Sequence, residues 1–378
     1  MIIENIKCYE VVVPAKAGMI ASKGIHKPLH KLPVGAKSAW SKQFDELPKL
    51  LIKMSLKNGV IGWGELYRDH NWTVVEDIIN SLLGRNLADL TLQKLPITFC
   101  REYDGFECAI WDAYAKSKDL RVVDLLGGAI KDKVKIGAWS SHRASEEIGG
   151  LVKAFSDQGY DCVKFKSDLD DDVASWCQSI HDVNPKMKVI FDPNERWLHS
   201  YETKQRIDVL SEIGNVLCLE DPIPRWKLEE YAKLRSYGSI PIVLHVSLPY
   251  ILHGQRIKDA IQAIQLNAVD GFNFNGGLAN FQRLDHIATA AGMQCWHGSE
   301  LDFGILEAMY VHSAAAAESC EWPSDIFGRL IREHDLLKTP LKIEPPFVYL
   351  PEGKGLGVEV DIDAVNNYLV KTKEYSAK

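Results

Sequence analysis

Residues 162–220 read CVKFKSDLDDDVASWCQSIHDVNPKMKVIFDPNERWLHSYETKQRIDVLSEIGNVLCLE. Three apolar runs stand out in this stretch: Cys162–Lys166, Met187–Asp192 and Val216–Glu220, each ending on a charged side chain. Segments of helical character separate them, at Asp171–His181 and Tyr201–Ile213. Short apolar strands alternating with helical segments predict βαβ units and a parallel sheet. Working outward, the alternation continues on both sides. Val134–Trp139 precedes a helical Ser145–Ser156, and Val216–Glu220 is followed by Lys227–Tyr237. Ile242–His245, Gly271–Asn275 and Met293–Trp296 are the later strands, followed by Ile257–Ala263, Leu278–Ala291 and Ile305–Ala316. Seven such units predict a closed barrel, with a weak eighth strand.

The flanks differ. Residues 1–130 open on a strand, Ile2–Val13, and contain two apolar runs, Leu50–Leu56 and Val60–Trp63, split by Lys57-Asn58-Gly59, a strong hairpin signal. Helical patterns follow at Thr73–Leu83 and Glu107–Lys116, so this part reads as an α+β domain. Met19–Lys37, with His26, Lys27, His30 and Lys31, reads as a solvated loop or as a flap over an anionic ligand. The barrel is assigned to 131–328. Residues 329–378 carry strand-like Phe347–Leu350 and Gly357–Val360 and a helix-like Asp363–Lys373, and are expected to return to the first domain. The fold class is therefore α/β: a modified TIM-type barrel beneath an N-terminal α+β cap that the C-terminal tail completes.

Composition narrows the function. The 378 residues are 46% hydrophobic and 25% charged, ordinary values for a globular chain. With 44 basic and 51 acidic residues the net charge is −7, and no basic stripe interrupts it, which argues against nucleic acid as a partner. The opening MIIENIKCYEVVV lacks the basic and apolar regions of a leader, and no run reaches 18 apolar residues, so neither export nor membrane insertion is expected. Eight scattered cysteines without a C-x-x-C pair read as reduced, buried thiols of a cytoplasmic protein.

In a parallel barrel functional groups gather where strands end. Here those ends carry Lys164 and Lys166, then Asp192-Pro193-Asn194, Glu220-Asp221, His245, Asn273 and Asn275, and His297. Lys166 to Asp192 is 26 residues, Asp192 to Glu220 is 28 and Glu220 to His245 is 25, so each sits at a similar level of successive units. Two carboxylates on adjacent strands repel unless a cation lies between them, and hard oxygen ligands suit Mg²⁺ or Mn²⁺. Lys164 and Lys166 share one strand face, and each cation disfavours the other's charge, which would tune a lysine to act as a base. Metal plus lysine suits removal of a proton α to a carboxylate. Singly, each piece has a plainer reading: a solvated strand face, a turn, a hydrogen-bonding histidine. Their conjunction in register points to chemistry.

At these residues the sequence resembles the enolase superfamily, on the mandelate racemase and muconate lactonizing enzyme side. Asn58–Glu65, Ala109–Ala113, Leu125–Gly128, Lys164–Lys166, Asp192–Asn194, Glu220–Pro222, Asp325–Gly328 and Gly355–Val358 carry the likeness. The resemblance implies a capped (β/α)₇β barrel, a divalent metal, Lys166 as general base assisted by Lys164, and a homo-oligomer acting on a small carboxylate. It also implies that Asp302 and Asp325 lie near the mouth, Asp325 contacting the carboxylate or enolate oxygen. Two departures stand out. The fifth strand carries no acid, and His245 is the nearest candidate third ligand beside Asp192 and Glu220; otherwise His245 only donates hydrogen bonds. Mg²⁺ is the first expectation, and an imidazole ligand would favour Mn²⁺, Fe²⁺ or Zn²⁺. The sixth strand has no base, leaving Asn273 or Asn275 to bind substrate with Asn194 and Asp302. His297 or Lys166 is the expected acid. The reaction expected is β-elimination, as in dehydration of an acid sugar; cycloisomerization and racemization are the alternatives, and a non-catalytic member without a complete metal site is the reading from a different class.

Overall fold

The computed structural model describes residues 1–25, 46, 48–68, 70–246 and 256–377. The basic part of the expected flap, with His26, Lys27, His30 and Lys31, lies outside the described residues, as does the chain immediately after the fifth barrel strand. No helix among the described residues is long and apolar enough to cross a membrane.

The capping part opens with β1 (Ile3–Val12), β2 (Pro48–Leu56) and β3 (Ile61–Glu65), followed by α1 (Trp72–Leu82), α2 (Tyr103–Ser117) and α3 (Val122–Leu125). β2 and β3 pair antiparallel across the Asn58-Gly59 turn, where Gly59 has φ +82° and its N–H donates to the Leu56 carbonyl. A positive φ is what glycine tolerates without steric cost.

The barrel part follows with β4 (Lys133–Lys135), β5 (Ala138–Ser140), α4 (Ser145–Asp157), β6 (Cys162–Lys166), α5 (Val173–Val183), β7 (Lys188–Asp192), α6 (Ser200–Ile213), β8 (Val216–Glu220) and α7 (Leu228–Arg235). It continues through β9 (Ile242–Val246), α8 (Arg256–Gln265), β10 (Gly271–Phe274), α9 (Leu278–Ala290), β11 (Gln294–His297) and α10 (Gly304–Ala316). Strands β5 to β11 form one parallel sheet in sequence order. The eighth position is held by residues 319–325. They make parallel bridges to Cys295 on one side and Ile136 on the other, and the Asp325 N–H donates to the His297 carbonyl. The stretch read as one strand from Val134 to Trp139 divides: β4 leaves the barrel and pairs with the tail, while β5 enters it.

The tail contains α11 (Gly328–Ile331), β12 (Ile343–Glu344), β13 (Phe347–Tyr349), α12 (Ile362–Asn367) and β14 (Leu369–Ser376). The helix expected over Asp363–Lys373 stops at Asn367. From Leu369 the chain pairs antiparallel with β1, giving the cap the order β14-β1-β2-β3. Strand pairing available on the open edge of β1 overrides local helical preference. Gly357–Val360 forms no strand; only Val360 bridges, to Leu337.

Register decides which side chains face the barrel interior. Trp139 pairs with Lys164, Lys164 with Ile190, Ile190 with Cys218, Glu220 with Val243, His245 with Asn273, and Asn273 with Trp296. Side chains alternate along a strand, so these residues share the inner face. Cys162, Ile190, Cys218, Val243 and Trp296 pack as one buried apolar layer that floors the mouth. His297, one residue past Trp296, therefore points outward. Its ring is stacked between Phe281 at 4.3 Å and Tyr310 at 4.1 Å, and it is fully buried. The expectation that His297 works at the mouth is corrected by this one-residue phase difference.

The cap is fastened to the barrel by buried charge. Lys49 of β2 lies 3.0 Å from Glu65 of β3 and also contacts Asp302, all fully or almost fully buried. Glu65 accepts from the N–H groups of Phe303 (2.8 Å) and Leu306 (3.2 Å) at the start of α10, where a helix N-terminus favours negative charge. Tyr310 donates to Asp302 at 2.6 Å, and Arg68 pairs with Glu300 at 2.9 Å. Asp302 is thus committed to the junction rather than offered to a ligand, which corrects its expected place in substrate binding.

Two outcomes follow from this packing. Lys49→Met should lower stability by about 3–5 kcal/mol in urea unfolding, because it leaves two buried carboxylates without their cation. Burial depresses His297 and His312 from the usual value to about 4. The unfolded chain then binds more protons between about pH 4 and 6.5, so stability rises with pH across that window and is lost as pH falls through it. His297→Phe should make the loss shallower by about one proton in pH-dependent denaturation, at about 3 kcal/mol for a full shift of this size.

Candidate active site at the barrel mouth

The inner face of β6 to β10 brings six polar side chains together above the apolar floor, and Asp325 joins them from the eighth position. Lys164 Nζ lies 2.6 Å from Glu220 Oε2, 2.9 Å from Asp325 Oδ2 and 3.5 Å from Asp192 Oδ2. Lys166 Nζ contacts Asp192 Oδ2. Asn273 Nδ2 donates to Glu220 Oε1 at 2.7 Å, and His245 Nδ1 lies 3.2 Å from the same oxygen. Gly298 makes room for Asn273: a Cβ there would meet its Oδ1 at 2.2 Å. All of these side chains are buried.

The charges act on one another. Burial works against the Lys164 ammonium, but Asp325, Glu220 and Asp192 outweigh it and hold its pKa well above the ordinary value. The expectation that neighbouring lysines depress each other is overturned at Lys164, because three carboxylates stand closer to the result than one other ammonium. Burial works to raise Glu220, yet Lys164 and His245 hold it well below the usual carboxylate range. Asp325 is raised by burial, against the pull of Lys164.

A second cluster adjoins the first. Ligand atoms of Glu220, Asp221 and His245 lie within 4.8 Å of one another. Asp221 accepts from the His245 N–H at 2.9 Å and pairs with Arg225 at 2.5 Å; burial pushes it up to about 6, against the pull of Arg225. The trio of ligands expected from the resemblance is thus divided. Glu220 and His245 stand side by side with Asp221, while Asp192 is shared by the two lysines. The donor set fits a divalent cation. Carboxylate oxygens are hard ligands, and His245 Nε2 is a buried imidazole nitrogen with no hydrogen-bond partner among the described residues. A buried imidazole of this kind is a common metal ligand.

The remaining candidates take other places. Asn194 has φ +47°, its N–H donates to Asp192 Oδ1 at 3.0 Å, and its side-chain oxygen is buried without a partner. Asn275 accepts from the Tyr67 hydroxyl at 3.2 Å and so faces the cap. The described start of the flap segment is docked over β5: Ser141 N–H donates to Ile20 O, Ser22 N–H to His142 O, and Arg143 to Met19 O. Ile20 packs with Trp139, Leu301 and Phe327, covering that side of the mouth. Sequence reasoning missed Asp221 as a ligand candidate, though its signal was present: an Asp beside Glu220, with Arg225 four residues on.

Residues 148–365 match the enolase C-terminal domain-like family. Muconate cycloisomerase 1 of Rhodococcus opacus is 27% identical over 351 residues, covering 85% of this chain and 91% of that protein. The o-succinylbenzoate synthase of Bacillus subtilis (strain 168) is 25% identical over 371 residues, covering 91% and 96%. In fold, the crystal structure of N-succinyl Arg/Lys racemase from Bacillus cereus superposes with a TM-score of 0.82 at 20% identity, covering 99% of this chain and 100% of that one. The matched span takes in every strand from β6 to β11 and every charged group at their ends, and the chain belongs to the enolase superfamily, on its mandelate racemase and muconate lactonizing side.

Proposed function

We propose that the chain is an enzyme that removes a proton α to a carboxylate and completes the reaction with a single lysine. The observation that carries this reading is the one-sided distribution of proton-transfer groups. Lys164 and Lys166 stand together on β6, whereas the inner face of β10 offers Asn273, which cannot accept a proton as a base. Lys166 is the base: its amine sits at the strand end, beside Asp192. Lys164, gripped by three carboxylates, keeps its charge and faces developing negative charge rather than taking a proton.

Glu220 and His245, with Asp192 or Asp221, would hold a divalent cation. When bound, such an ion supplies positive charge to a carboxylate whose α-proton is leaving. Asn273 and Asp221 fix Glu220 and His245 through the hydrogen bonds described above. Lys166, once protonated, is the nearest group to return a proton, now to a β leaving group on the same face. This supports β-elimination from a hydroxy acid. The 27% identity to muconate cycloisomerase 1 favours cycloisomerization as a second reading, which also needs one lysine. Racemization with two opposed bases lacks its second base among the described residues.

The metal is tested by titration of the purified chain with Mg²⁺, Mn²⁺ and Zn²⁺. One-to-one binding weakened at least about tenfold by Glu220→Ala and by His245→Ala is expected, and His245→Asp should shift preference from Zn²⁺ towards Mg²⁺. Absence of binding by the unmodified chain at millimolar metal overturns the reading. The base is tested by exchange of the substrate α-proton in D₂O across a panel of hydroxy acids and unsaturated diacids. Lys166→Met should slow exchange by about 10²–10⁴-fold with metal affinity retained; exchange surviving in that variant removes Lys166 from the role.

A further inference from the structure

Cys295 of β11 and Cys320 of the eighth position are directly opposed bridge partners. The Cys295 N–H donates to the Ser319 carbonyl at 2.8 Å, which holds the two chain segments side by side. Neighbouring strands lie about 4.7–4.9 Å apart, inside the span of about 4.4–6.8 Å between Cα atoms that a disulfide requires. Trp296 faces the interior, so Cys295 points to the outer face, as His297 does. Cys295 is fully buried and Cys320 nearly so. Each thiol has a hydroxyl beside it: Cys295 Sγ lies 3.2 Å from Ser319 Oγ, and Cys320 Sγ lies 3.6 Å from Ser324 Oγ. The cysteines of the barrel floor are a contrast. Cys162 and Cys218 share one buried layer, but β7 stands between their strands, which sets them about 9 Å apart by strand spacing and beyond bridging.

The two thiols also differ in acidity. Burial pushes Cys8, Cys100, Cys108, Cys162, Cys177, Cys218 and Cys295 up. Cys320 alone of the eight is lowered, chiefly because Cys295 hydrogen-bonds to its sulfur, with Ser324 and Lys131 adding to this against burial. The thiolate is the reactive form, and a second thiol beside it can resolve an oxidised sulfur. We propose that Cys295 and Cys320 are a redox pair, converted by a peroxide to a disulfide that ties the eighth position to β11 and released by a thiol reductant. The Cys320 thiolate attacks one peroxide oxygen. The S–O bond forms, the O–O bond breaks, and the departing hydroxide takes up the proton that Cys320 gave up. The Cys295 sulfur then attacks the Cys320 sulfur. The S–S bond forms, the S–O bond breaks, and the second hydroxide leaves with the Cys295 proton as water. The two sulfurs lose two electrons in all, and the peroxide is reduced to two waters. In the return, two reductant thiols are oxidised to their own disulfide and both cysteines regain a proton. Peroxide reaches the pair when the eighth segment opens, and isolated bridges rather than a continuous ladder hold that segment closed. The link has a route to the mouth. Ser324 Oγ, beside Cys320, accepts from the His297 N–H at 3.1 Å. Asp325, the next residue, donates its N–H to the His297 carbonyl and holds Lys164 at 2.9 Å. Drawing Cys320 towards Cys295 takes its sulfur from Ser324 and so bears on the seating of Asp325.

The test treats the folded full chain with hydrogen peroxide, at a dose that oxidises free cysteine completely. The remaining thiols are then alkylated under denaturing conditions and the peptides mapped by mass spectrometry. The eight free thiols should fall to six, with loss of two hydrogen atoms and one Cys295–Cys320 link, and dithiothreitol should restore all eight. Amide hydrogen exchange over residues 319–325, Asp325 included, should slow at least about tenfold in the oxidised chain. Cys295→Ser should stop at a sulfenic acid on Cys320 that dimedone traps, and Cys320→Ser should leave Cys295 unoxidised. A link between other cysteines, oxidation confined to Cys100, survival of all eight thiols, or a link that forms only once the chain is unfolded overturns the proposal. Unslowed exchange in a chain that carries the link overturns the tie to β11. The map is made on the unmodified chain, so it decides even where neither variant folds, and no step of it depends on the activity proposed for the mouth.

Discussion

Charge balance in one buried layer constrains everything above the floor of this barrel. Asp192, Glu220 and Asp325 confront Lys164 and Lys166 in a space from which water is largely excluded. Ionised, the three carboxylates exceed the two ammonium groups by one. Isolated excess charge is expensive in such surroundings, and the layer accommodates it by sharing: Lys164 touches all three carboxylates, and Asn273 and His245 lean on Glu220. A divalent cation together with one substrate carboxylate would bring the layer to neutrality. His245 stands beside Glu220 without adding a negative charge to the layer.

The parts of this arrangement that the sequence reveals are those set by local periodicity. Strand runs ending in charge, with spacings of 26, 28 and 25 residues, place Lys166, Asp192, Glu220 and His245 at one level. Phase is harder to read than level. Met293–Trp296 is apolar throughout, and nothing local says whether Trp296 or His297 faces inward; the register with Asn273 decides. The eighth strand was weak because only isolated bridges hold it. Long-range partners were out of reach altogether. Lys49 meets Asp302 across 253 residues, and the edge of β1 that turns Leu369–Ser376 into a strand lies at the other terminus.

The cap and the mouth are joined by contacts that leave His297 a structural part despite its place outside the barrel interior. Lys49, paired also with Glu65, holds Asp302, Asp302 accepts from Tyr310, and the Tyr310 ring stacks on His297. His297 Nδ1 lies 2.8 Å from the carbonyl of Gly298. That glycine, having no side chain, admits Asn273, and Asn273 holds Glu220. Each step is a packing or hydrogen-bonding contact between neighbours, and together they position one carboxylate from the capping sheet inward. A histidine one residue out of phase with the interior can therefore matter to the site without reaching it. Its ring fixes the backbone turn that keeps Gly298 clear, and the cleared space is where Asn273 must lie for Glu220 to point at His245 rather than wholly at Lys164.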